Sequence, residues 1–200
     1  MLKKLRTSIT WLMAIAALAF GSLSARGGDN FAVKTNLLWD AALTPNIGAE
    51  FVVAPRWSVD VSGQLNAWTL DGGRRWKHWL VQPEVRYWFC ETFGGHFLAV
   101  HAIGGTYNFG KLPWHKFLNN DLGKLRDRRY QGWGAGLGAG YGYTWPLTKH
   151  WSVEAEIAIG WIYTRYDVFP CAQCGSKLES DRTHNYFGPT KAAINLVYVF

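Results

Sequence analysis

Beyond residue 30, apolar and polar residues alternate with a period of two through most of the chain, the spacing of half-buried β-strands rather than helices. Val33, Thr35, Leu37 and Trp39 share one face of a first segment, with Lys34 and Asn36 opposite. Ile47, Ala49, Phe51 and Val53 form a second face, across from Glu50. Trp57, Val59 and Val61 oppose Ser58, Asp60 and Ser62, with Gln64 and Asn66 following on the polar side. In the next segment Trp79, Val81, Pro83, Val85, Tyr87 and Phe89 oppose Gln82, Glu84 and Arg86. Residues 96–109 read as a fifth strand whose facing stays open, since His101 and Ile103 share one side while Leu98, Val100 and Ala102 share the other. From Trp133 to Trp145 the odd positions are aromatic or aliphatic, and the even positions 132–142 are all glycine. Trp151, Val153, Ile157, Ile159 and Trp161 oppose Ser152, Glu154 and Glu156, and a last segment sets Ile194, Leu196, Tyr198 and Phe200 against Lys191 and Asn195.

About eight such segments predict an all-β chain, an eight-stranded antiparallel β-barrel wound as an up-and-down meander. Alternation alone does not say which face is inside, because a soluble lipocalin-like barrel and a membrane barrel share the period. Three features favour a transmembrane barrel. The connections are short at residues 54–56, 91–95 and 146–150 and long at 69–78, 110–129 and 165–189, the pattern of periplasmic turns and external loops. Trp57, Trp88, Trp145 and Trp151 flank the short turns, while Trp39, Trp68, Trp76, Trp79, Trp133 and Trp161 lie toward the long loops, as two aromatic girdles would. The polar faces gather Lys34, Glu50, Asp60, Glu84, Arg86, Glu154, Glu156 and Lys191, ions that are costly in hydrocarbon but can pair in a polar lumen. An eight-stranded barrel is just wide enough for side chains to fill, so a narrow pore is a lesser reading. The glycine row then faces inward, either leaving volume for long side chains from other strands or permitting strong curvature.

Composition narrows the class further. The 200 residues suit one domain, and 48% hydrophobic against 18% charged residues excludes a disordered chain or a coiled coil. One apolar run, at the N-terminus, is too little for a bundle of membrane helices. Lys3, Lys4 and Arg6, the apolar residues 9–20 and the small residues 22–25 read as a signal peptide over 1–25, leaving a barrel domain over 26–200. Its removal leaves 18 Lys and Arg against 14 Asp and Glu, lowering the formal charge from +7 to +4, and no continuous basic stripe points to nucleic acid. The terminal Tyr198 and Phe200, both on the apolar face, look like the signature read by the outer-membrane barrel-assembly machinery.

Residues 34–46, KTNLLWDAALTPN, with IGAEF at 47–51, HWLVQPEVRYWFC at 78–90 and GHFLAVHAIGG at 95–105, resemble an uncharacterised family of small outer-membrane barrels from Bacteroides-type bacteria. The resemblance implies an eight-stranded barrel and, since members are often encoded near fimbrial components, a link to surface assembly; it carries over no catalytic residue.

The candidate chemistry is sparse, and neither a cofactor nor a metal is expected. Cys171 and Cys174 read as a local disulfide tying the last long loop, with Cys90 a free thiol at the opposite rim. In the 110–129 loop, Trp114, Phe117, Leu118, Leu122 and Leu125 follow a helical period among cations. Lys124, Arg126, Arg128 and Arg129, with Arg74, Arg75 and Lys77 of the preceding long loop, are candidate contacts for lipid phosphate; a loop helix over the barrel mouth with solvated charges is the other reading. His150 and Ser152, with Glu154 and Glu156 beyond, slightly resemble the His-x-Ser of outer-membrane lipid A deacylases, but they lie at the periplasmic rim. The sequence therefore favours a non-enzymatic, monomeric outer-membrane barrel whose loops meet lipid, fimbrial components or ligands, over a lipid A-modifying hydrolase.

Overall fold

The computed structural model describes residues 30–70, 73–111, 116–117, 120–121, 127–171 and 173–200. The signal peptide expected over 1–25 lies outside the described residues. Eleven strands and one short helix follow in order: β1 (Phe31–Asn36), α1 (Leu37–Ala41), β2 (Asn46–Ala54), β3 (Trp57–Asn66), β4 (Thr69–Leu70), β5 (Arg74–Trp88), β6 (Gly95–Gly110), β7 (Lys116–Phe117), β8 (Asn120–Asp121), β9 (Arg129–Pro146), β10 (Trp151–Phe169) and β11 (Glu179–Val199). Eight of the strands pair antiparallel as sequence neighbours, and β1 pairs with β11, so a single sheet closes into a ring. The two-residue β4 merely extends the edge of β5.

Side chains are distributed inside out relative to a water-soluble protein. Glu50, Ser58, Asp60, Glu84, Arg86, Glu154 and Glu156 are buried in the interior. Ile47, Phe51, Val61, Leu65, Val85, Val100, Leu137, Ile157 and Ile159 stand on the outer face of their strands, and Ile157 is 70% exposed. A small hydrophobic cluster at the short-turn end is built from Ala32, Trp88, Phe93, Phe97, Ala99, Val197 and Val199.

The fifth strand, open from sequence, is settled by its ladders. Phe97, Ala99 and His101 point inward, and Leu98 and Val100 outward. Both readings of the glycine row hold, at different heights. At Gly138 and Gly142 an added Cβ would overlap the His101 and Phe97 side chains, so these glycines make room for interior groups. At Gly132 and Gly136 it would strike the backbone of β10, where the sheet coils too tightly for any side chain.

Three boundaries differ from the sequence reading. The first strand does not run on to Trp39: it stops at Asn36, whose side chain accepts from the Leu38 N–H and caps the five-residue α1. The loops are shorter than alternation implied, because β5 starts at Arg74 and the β10–β11 hairpin extends to Phe169 and Glu179. Beyond the apolar belt the outer positions of these strands turn polar, at Lys77, Arg165 and Asp167 for example, which breaks the alternating signal of an apolar outer face. In the 110–129 loop, Lys116–Phe117 pairs antiparallel with Asn120–Asp121, so these residues are not helical; Trp114, Leu118, Leu122 and Leu125 lie outside the described residues.

The wall of the ring is uneven. The six residues of β1 cover only the end of the 21-residue β11, so among the described residues positions 179–193 of β11 have β10 on one side and no strand on the other. Asn36 finishes this edge, since its Oδ1 accepts from the Ile194 N–H and its Nδ2 donates to the Ala192 carbonyl. Pro189 falls on the same unaccompanied stretch, where a missing N–H is tolerated.

Candidate functional site

Two places collect groups capable of recognition: the ring interior and the outer face of its tall wall.

In the interior, the eight ions expected to pair are brought together. The Arg86 guanidinium is fully buried and touches four glutamates: its Nε lies 2.6 Å from Glu84, Nη1 3.0 Å from Glu50 and 2.7 Å from Glu154, and Nη2 2.8 Å from Glu156. Lys191 Nζ bridges Glu84 at 2.7 Å and Glu156 at 2.9 Å. Lys34 pairs with Glu50 and lies 3.2 Å from Asp60. Five carboxylates thus meet three basic side chains. The spacing arises because β2, β3, β5 and β10 each turn their even positions inward at neighbouring heights. The glycines of β9 leave that quadrant empty for Phe97 and His101 of β6.

Several interior partners were not singled out from sequence. Asn195 Nδ2 donates to Glu154 at 2.6 Å, and the Ser58 hydroxyl donates to Glu50. Phe97 lies beneath the Arg86 guanidinium, 4.4 Å from it, and His101 Nε2 is 3.1 Å from the Thr190 hydroxyl. Strand parity was the available signal for Ser58 and Asn195; β6 offered none for Phe97 and His101, and Thr190 turns inward beside Lys191 only because β11 carries a register shift there. A cavity of about 40 Å³ lies between the cluster and α1, bounded by Lys34, Asn36, Trp39, Asp60, Gln82 and Lys191. Its volume admits about three waters at ~10–15 Å³ each.

Most of the girdle tryptophans face outward: Trp57, Trp79, Trp133, Trp145, Trp151 and Trp161 are each between 43% and 47% exposed. Two do not. Trp88 is fully buried, packs on Phe97 with ring centroids 4.7 Å apart and donates its Nε1–H to Ser58 at 2.8 Å, closing the interior at the short-turn end. Its even position on β5 had already put it on the inward side. Trp39 sits on α1, against His78 at 5.7 Å and over the cavity. Tyr198 and Phe200 pack together edge-to-face at 4.8 Å, and Tyr198 also meets Trp151 at 5.0 Å.

The candidate phosphate contacts separate. Lys124 and Arg126 lie outside the described residues. Arg74, Arg75 and Lys77 belong to β5 rather than to a loop, and Arg129 opens β9. The ladders place Arg75, Lys77 and Arg129 in rows on the outer face. Arg75 pairs with Gly110, Gly110 with Arg129, and Arg129 with Phe169. One row nearer the ring's centre run Lys77, Asn108, Gln131 and Asp167, and below that Trp79, Thr106, Trp133 and Arg165. Arg74 points to the opposite face from Arg75, and Arg128 precedes β9.

Arg129 stacks on Phe169 at 3.8 Å and donates from Nη2 to the Cys174 carbonyl at 3.1 Å. Burial and, after it, the neighbouring Arg75 charge pull its pKa below the ordinary arginine value. The carbonyl it holds belongs to a stapled loop, since Cys171 and Cys174 are disulfide-bonded and Cys90 is a free, exposed thiol at the other end. That bond occupies both sulfurs a metal would have used. Nearby, the Lys177 ammonium hydrogen-bonds Asp167 at 2.8 Å, which holds the Asp167 carboxyl below its usual range.

His150 offers little to a nucleophile, because its Nδ1 lies 3.0 Å from the Val199 carbonyl and its ring stacks on Tyr198 at 5.7 Å. Ser152 is buried on the interior face.

Comparison with known families adds one finding. Residues 11–200 match the family described as protein of unknown function DUF3575. The chain belongs to this family. No curated protein and no solved structure matches it significantly. The family's extent covers every described strand, so the interior cluster and the outer rows all lie within one family unit.

Proposed function

We propose that this chain is a non-enzymatic β-barrel of the bacterial outer membrane, with its apolar faces in lipid, its ions enclosed and its loops presented to surface lipid, fimbrial components or ligands. The single observation that carries the reading is the inverted distribution of side chains. Aliphatic groups from Ile47 on β2 to Ile194 on β11 stand exposed around the ring, while Glu50, Asp60, Glu84, Arg86 and Glu154 are no more than 1% exposed. In water this arrangement would leave a belt of apolar surface far beyond the few hundred Å² a soluble monomer tolerates. In hydrocarbon it satisfies both the outer surface and the backbone, because a closed sheet leaves few unpaired amides. The tryptophans at the two ends of the belt, Trp57, Trp145 and Trp151 below and Trp79, Trp133 and Trp161 above, suit the two membrane interfaces.

The Arg86 knot and the Trp88–Phe97 plug fill the ring, which supports a closed barrel over a pore. The engagement of His150 by Val199 supports a non-catalytic role over a lipid A hydrolase. Fractionation of cells and gel migration test the reading together. The protein should partition with outer membranes and run faster unheated than boiled; recovery as a soluble protein with one mobility would overturn it.

A further inference from the structure

The row above the upper tryptophans holds two guanidiniums and no acid to balance them. Arg75, Gly110 and Arg129 are consecutive ladder partners on the outer face. Each arginine stands four residues beyond a girdle tryptophan of its own strand, Trp79 on β5 and Trp133 on β9. At ~3.3 Å per residue along tilted strands, that is ~10 Å above the aromatic belt, where the phosphates of a bilayer surface lie. Gly110 between them carries no side chain, and a Cβ placed there would come within 3.2 Å of Arg129, so the glycine leaves an open floor between two cations about two strand spacings, ~10 Å, apart. No ion pair engages Arg75 or Arg129 among the described residues. Arg129 is only 8% exposed, and its Nε has no hydrogen-bond partner, an uncommon state for a buried guanidinium. Phe169 and the stapled Cys174 carbonyl fix its plane.

We propose that Arg75 and Arg129 clasp one phosphomonoester of an outer-leaflet glycolipid across Gly110, an inference that rests on the membrane reading above. Arginine is suited to this role because its planar fork donates two parallel hydrogen bonds to a phosphate. The disulfide-tied loop presets one donor, so part of the ordering cost is met before the lipid arrives. Lys77, in the row below and on the same face, adds charge without the fork.

Native mass spectrometry of the full mature chain, released from liposomes with added diphosphorylated lipid A, dephosphorylated lipid A or inorganic phosphate, tests the proposal. The diphosphorylated lipid should be retained at least about tenfold better than its dephosphorylated form, and Arg75→Gln and Gly110→Val should each remove most of that preference. Arg74→Gln deletes the same charge one residue away on the opposite face and should leave it intact. Equal retention of the two lipids, loss of preference in Arg74→Gln as large as in Arg75→Gln, or inorganic phosphate binding as tightly as the glycolipid would each overturn the proposal. Heat-modifiable migration is measured on every variant. Failure of the wild-type chain to insert would refute the membrane reading itself, whereas insertion without phosphate preference refutes only this site.

Discussion

At the scale of residues, Arg86 organises the interior because one planar group can face several carboxylates at once. Its three nitrogens meet Glu84 on its own strand, Glu50 on β2 and Glu154 and Glu156 on β10, tying together strands far apart in sequence. Removing it leaves those carboxylates buried with Lys34 and Lys191 as their remaining cations. Arg86→Met should therefore cost ~3–5 kcal/mol in urea unfolding from bilayers, the usual penalty for breaking a buried pair from one side. A loss below ~1 kcal/mol would mean that water or protons already balance the cluster. Arg86→Lys should recover only part of the loss, since an ammonium lacks the fork. That these ions share one face of each strand was legible in the sequence, because alternation fixes parity; loop lengths and the tryptophan positions were needed to point that face inward. The placement of Trp88 was misread for an instructive reason: its nearness to a turn suggested a girdle, but its even position on β5 governed where it points.

At the scale of elements, β1 and β11 show how much of the architecture alternation leaves out. The sequence carried the pattern of β1 through Trp39, yet the chain turns at Asn36 because that side chain can cap α1 and also stand in for the missing neighbour of β11. Such a double role leaves no trace in hydrophobic periodicity. Asn36→Ala should cost about 1 kcal/mol from the lost cap. It should also speed amide exchange at Ile194 at least severalfold, while exchange at residues of β11 paired with both β1 and β10, such as Leu196, stays slow. Unchanged protection at Ile194 would show that the edge does not depend on Asn36. The long β9–β10–β11 extensions were read as loops for a related reason. Once a strand leaves the apolar belt its outer face carries cations and amides, so Arg75 and Arg129 looked like loop cations although the sheet holds them in register.

At the scale of the whole molecule, the central claim is that a ring of eight strands keeps its ions inside and turns its aliphatic faces toward lipid. Strand number and strand order were readable from period-two alternation, as was the grouping of polar and apolar positions on every strand but β6, whose facing the sequence left open. The balance between the two roles of the glycine row was not, because glycine carries no side chain to report its surroundings. The chain's membership of DUF3575 spans the entire ring and leaves the physical argument to assign its environment. The most direct test places a nitroxide at residue 157, where Ile157 is 70% exposed on the outer face, in a chain whose free Cys90 is replaced by serine, reconstituted in liposomes. The account predicts a label that collides with oxygen far more than with a water-soluble nickel chelate, as in the hydrocarbon core. Collision dominated by the nickel chelate, as at a hydrated surface, would contradict it.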